Sequence, residues 1–97
     1  MKTYSINYNM GNPGRDYKSL IAKIKSFGHG WCHCGGSHWF INSTLSASDV
    51  RDHLKVALDK TDDIIVHEVG DSWASFQVSK EISDWLHANW HSSCKVH

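Results

Sequence analysis

The sequence predicts an α+β domain, and three observations predict it. Residues 3–10 alternate apolar and polar side chains, two later segments carry apolar residues at helical spacing, and Gly35-Gly36 separates two short extended runs. Alternation with period two marks a strand with one buried face; a period near 3.6 marks a helix with one apolar stripe. Ninety-seven residues are enough for one modest core and too few for two.

In the first strand Tyr4, Ile6, Tyr8 and Met10 alternate with Ser5, Asn7 and Asn9. Gly11-Asn12-Pro13-Gly14 then turns the chain. Asp16 is placed to cap a helix reaching about Phe27, with Gly28 as its stop. Tyr17, Leu20, Ile21, Ile24 and Phe27 form its apolar stripe, and Lys18, Lys23 and Lys25 lie outside it. From Trp31 to Asn42 two short strands flank the glycine pair, a good hairpin signal. Ser46-Ala47-Ser48-Asp49 is a near capping box with Asp in place of Glu. It opens a second helix with Ala47, Val50, Leu54, Ala57 and Leu58 on one face.

Asp62-Asp63 leads into Ile64–Val69, whose apolar run predicts a central strand buried on both faces. Ser72–Val78 alternates loosely and predicts an additional edge strand. Ser79 caps a last helix carrying Ile82, Trp85, Leu86 and Trp90. The domain thus spans residues 1–90, and 91–97 are expected to form a flexible tail. The order β-α-β-β-α-β, followed by a C-terminal strand and helix, is the split-βαβ, ferredoxin-like arrangement. Right-handed crossovers place both main helices on one face of an antiparallel sheet.

Ten basic and ten acidic residues cancel, so no net field draws the chain to nucleic acid or to an anionic membrane. The longest aliphatic run, Ile64-Ile65-Val66, is far too short to span a bilayer. The N-terminus enters a strand without an apolar signal core, and the three cysteines suggest free thiols in a reducing compartment. A cytoplasmic location is expected.

Several short pieces, in order, carry a resemblance. They are Tyr4-Ser5-Ile6-Asn7-Tyr8 with Asn12-Pro13-Gly14, Asp16-Tyr17, Trp31, His33, and Ser37-His38-Trp39. Further on come Ser46-Ala47 with Arg51-Asp52, Glu68-Val69, and Ser79-Lys80-Glu81 with Trp85. Together they resemble the ferredoxin-like family of CRISPR-adaptation endoribonuclease subunits and virulence-associated D toxins. The nearest likeness is to bacterial relatives carrying a SinR-like label. The resemblance implies a homodimer, and for some members RNA or DNA cleavage. Those members use an Asp at the end of the first strand to hold Mg²⁺ or Mn²⁺. Here that position is Asn9. An amide oxygen brings no charge, so the departure implies weak or lost metal-dependent catalysis.

Asn7 and Asn9, with Ser5, share one strand face; they suit either a degenerate metal or phosphate site or ordinary polar packing across a subunit interface. Asn7, Asn12, Arg15 and Lys18 are the candidate nucleic-acid contacts. His33 is a candidate general acid or base for metal-independent cleavage, with His38 or His67 as partner. His29, Cys32, Cys34 and His38 supply soft ligands for zinc. The alternative for both cysteines is burial as small apolar residues. Five tryptophans offer core or interface anchors in Trp31, Trp39 and Trp85, and partner contacts in Trp73 and Trp90. Three function classes follow: a nucleic-acid-associated protein of this lineage, a non-enzymatic interaction module such as an adaptor or antagonist of a defence system, or a small zinc protein.

Overall fold

A computed structural model describes residues 1–12, 17–27, 29–70 and 73–89. Four antiparallel strands and three helices follow one another as β1 (Lys2–Asn9), α1 (Lys18–Lys25), β2 (Trp31–His33), β3 (His38–Ser43), α2 (Ala47–Lys55), β4 (Asp63–Glu68) and α3 (Lys80–Asn89). The sheet order is β2-β3-β1-β4. The α1 connection from β1 to β2 therefore passes one strand, β3, and the α2 connection from β3 to β4 passes β1.

The alternation in β1 decides which face holds the core. Tyr4, Ile6 and Tyr8 are buried with Trp39 and Ile41 of β3, beneath Leu20 and Ile24 of α1 and Val50 and Leu54 of α2. Both helices thus lie on one face, as the pattern predicts. Ser46 caps α2 by accepting from the Asp49 amide at 3.1 Å. Asp16 lies outside the described residues; Tyr17 stands at the α1 N-cap without a side-chain cap bond. Gly35 and Gly36 close the β2–β3 hairpin with φ of 99° and 54°, where a Cβ is unfavourable.

The opposite face of β1 is polar, and its upper half is covered by α3. Thr3 and Asn42 are fully buried there. Thr3 Oγ1 donates to Asn42 Oδ1 at 2.7 Å, and Asn42 Nδ2 donates to the Asn89 carbonyl at the end of α3 at 2.7 Å. One carboxamide so ties two strands to a helix, and both of these buried side chains have hydrogen-bond partners.

Two expectations are corrected. β4 is an edge strand, not a central one, and Ile65 on it is 66 % exposed. Only Ile64 and Val66 turn to the core. No additional strand forms within the described residues 73–79. Gln77 there has φ of 58°, in the left-handed region, which no strand accommodates. The last helix forms as expected, with the Ser79 hydroxyl accepting from the Ile82 amide.

Asp62 fixes the end of the sheet. Its carboxylate accepts from the Gly11 amide (2.9 Å), the Tyr17 hydroxyl (2.7 Å) and the Asp59 amide (2.9 Å). It therefore joins the exit of β1, the start of α1 and the entry to β4. Replacing it leaves three donors without their acceptor, and bonds to charged groups are the stronger kind. Asp62→Ala is expected to cost about 2 kcal/mol, read as a lower urea midpoint with unchanged slope, and Asp62→Asn less.

Candidate functional site

At the lower end of β1 the polar face is open. A pocket of about 260 Å³ is bounded there by Asn7, Asn9, Ser37, His38, Asp63 and Ile65. Strand register makes the assembly: Asn7 lies opposite His38 on one side and Ile65 on the other, and Asn9 lies opposite Asp63. Asn9 Nδ2 donates to Asp63 Oδ1 at 3.0 Å. Asn7 Nδ2 donates to Ser5 Oγ at 2.9 Å, and the same oxygen lies 3.1 Å from His38 Nε2 in a second hydrogen bond. Burial pushes the His38 pKa below its ordinary value, so the ring is neutral near pH 7.

Asn9, the expected site position, is thus paired with the carboxylate of Asp63, which nothing in the sequence pattern places beside it. Asp63 opens β4, and only its register beside Asn9 brings it to the pocket. One carboxylate, two carboxamides, a hydroxyl and a neutral imidazole make a hydrogen-bonding pocket. The oxygens of Asp63 and Asn9 are hard donors of the type Mg²⁺ or Mn²⁺ takes, yet one carboxylate already engaged by an amide makes a weak site.

His33 lies on the other face of the sheet. Its ring stacks on Trp39 with centroids 4.1 Å apart and planes within 9°. Its Nε2 lies 2.9 Å from the Gly36 carbonyl. His38 faces away from it, and so does His67, opposite Ser5 in the register. The three imidazoles do not converge on one phosphate, which removes the geometry for His33 as general acid or base with either partner.

The zinc cluster is likewise not assembled. Cys32 is buried, and the Cys34 thiol lies 3.9 Å from the Cys32 carbonyl. His38 is engaged by Ser5, and His29 lies on the turn before β2. Among the described residues no three His, Cys, Asp or Glu side chains are grouped to hold a metal ion. Burial, and secondarily the neighbouring Cys32, push the Cys34 thiol up to about 12. Cys34 instead borders an apolar cavity of about 360 Å³ with Phe40, Trp73, Phe76 and Leu86.

The candidate nucleic-acid contacts are scattered. Asn7 is in the pocket, the Asn12 carbonyl lies 3.3 Å from the Tyr17 hydroxyl, and Lys18 opens α1 on the far side of the sheet. Arg15 and Trp90 lie outside the described residues. Trp39 fills the core, whereas Trp31 is 38 % exposed on the edge strand β2. No helix among the described residues is long and apolar enough to cross a membrane. Comparison of the chain with family models, with curated proteins and with solved structures finds no match.

Two outcomes are expected. The unfolded chain takes up a proton at His38 near pH 6.5 and the folded chain resists it. The stability associated with the neutral ring is therefore complete above pH 6.5 and lost as pH falls below it. Thermal melts of wild type should drop more steeply on acidification than those of His38→Gln. Separately, in a Cys94→Ser background Cys32 and Cys34 should react with an aromatic disulfide reagent more than about tenfold slower than unfolded thiols, and at the normal rate in urea.

Proposed function

We propose that this protein is a homodimeric, nucleic-acid-associated domain of ferredoxin-like type whose metal-dependent nuclease activity is weak or lost. The strand order β2-β3-β1-β4, with each β-α-β connection passing one strand, supports the ferredoxin-like reading. The observation that carries the functional reading is the pocket at the end of β1, where the carboxamide of Asn9 meets Asp63 instead of offering a charge of its own. A carboxylate at position 9 would stand beside Asp63 and create the paired anions that hold a divalent cation. As the chain stands, Asn9 adds no charge to the pocket and engages Asp63 Oδ1 in a hydrogen bond. RNA or DNA is the partner in this reading, and a second copy of the chain covers the open sheet face around Ile65.

A second reading, a non-enzymatic interaction module, is favoured by the exposure of Phe76, at 84 %, on the same side as Ile65. That reading expects a protein partner and no dependence on nucleic acid.

The test is cleavage of labelled single- and double-stranded RNA and DNA with Mg²⁺, Mn²⁺ or EDTA. Wild type is expected to be slow or silent. Asn9→Asp should gain metal-dependent cleavage that Asn9→Asp with Asp63→Asn loses again. Cleavage by wild type that persists in EDTA would overturn the metal-site reading. Silence in Asn9→Asp at every metal concentration would remove the nuclease lineage from the explanation.

A further inference from the structure

The net neutrality of the chain hides a strong asymmetry. Residues 17–48 contain no Asp or Glu, but they hold Lys18, Lys23, Lys25, His29, His33 and His38. That stretch is α1, β2 and β3, so one side of the sheet is free of carboxylates of its own. At its outer limit lies β2, an edge strand whose Trp31 and His33 project to the same face.

The aromatic groups there are layered. Trp39 is 1 % exposed and supports the His33 ring in a parallel stack, 4.1 Å between centroids. The contact of His33 Nε2 with the Gly36 carbonyl fixes the ring, and His33 itself is exposed, so one π-face looks outward. Trp31 packs on Trp39 at 5.5 Å and is also exposed. The Lys25 ammonium sits 4.7 Å from the Trp31 ring centroid and 5.9 Å from that of Trp39. Trp31 and His33 are two positions apart on the strand, a rise of about 7 Å. Pre-set rings on a sheet edge, with a cation held over one face of Trp31, meet the two needs of single-strand binding: stacking for bases and charge for phosphates.

We infer that the β2 edge formed by Trp31, His33 and Lys25 is a stacking platform for unpaired bases of single-stranded nucleic acid. The platform deepens the nucleic-acid reading above and depends on it. It lies on the face of the sheet opposite Asn9 and Asp63, so a strand bound there is held at a distance from the pocket. Lys25 supplies the phosphate contact, His33 and Trp31 the stacking surfaces, and Trp39 the buried base of the stack. Duplexes, whose bases are already stacked on one another, gain only the charge term.

The experiment is fluorescence anisotropy of labelled oligouridine, oligothymidine and a DNA duplex with the full chain, across a salt series. Trp31→Ala and Lys25→Gln are each expected to weaken single-strand binding about tenfold, with circular dichroism unchanged. Lys25→Gln should also reduce the salt slope by about 0.7, the value for one phosphate contact to a single strand. His33→Phe, which keeps a flat ring, should retain affinity that His33→Ala loses. Single-strand binding indifferent to Trp31→Ala and Lys25→Gln would overturn the platform while leaving a nucleic-acid role intact. Equal competition by polyglutamate would also overturn it, because a surface that reads charge alone does not stack bases. Failure of wild type to bind any of the three nucleic acids would overturn the platform and the nucleic-acid reading together.

Discussion

The polar face of β1 is the constraint on which the other elements depend. Thr3 and Ser5 are buried on it, and a buried hydroxyl without a partner carries a penalty that a small domain tolerates badly. Thr3 finds Asn42, Ser5 finds His38 and Asn7, and Asn9 finds Asp63. These pairs run across both neighbours of the strand and so fix two registers at once. A slip by one residue would expose Tyr4, Ile6 and Tyr8 and bury the asparagines. Asn42 passes the constraint on to α3 through the Asn89 carbonyl. The sheet, its second layer and the open pocket are all settled by where the polar residues of one strand find partners.

Most of the architecture was legible because it was written in local patterns. The alternation of β1, the glycine pair of the hairpin, and the serine caps at 46 and 79 each involve residues within a few positions of one another. Ile64-Ile65-Val66 misled because an apolar run does not say how many faces are covered; β4 lies at the edge, and Ile65 faces outward. Ser72–Val78 misled because Trp73 and Ala74 break the alternation and Gln77 adopts a left-handed conformation that no propensity signals. The site was half legible. Asn9 stands out from its place on the strand, but Asp63 joins it from 54 residues away through register alone. His33 and His38 are close in sequence, but the register of β2 and β3 places them on opposite faces of the sheet.

The two faces of the sheet have become chemically different for a simple reason. On the helix-covered face the rings of Trp39, His33 and Trp31 share dispersion contacts and place π-surfaces at the boundary of the core. On the other face, carboxamides and hydroxyls hydrogen-bond to one another and to a single carboxylate. A net charge of zero is therefore compatible with distinct recognition surfaces, because formal charge counts residues and takes no account of where they stand.

The topology also bears on synthesis. β1 precedes the other three strands in the chain yet has its pairing completed last, since it pairs with β3 and β4 and has no local partner. At ordinary rates of elongation the 54 residues from Met10 to Asp63 take roughly 3–11 s to make. During that time the β2–β3 hairpin can close while Tyr4, Ile6 and Tyr8 remain uncovered. A nascent chain of this kind spends seconds with the apolar face of its first strand displayed to solvent or to a chaperone, and its yield should respond to translation speed as well as to the stability of the finished domain.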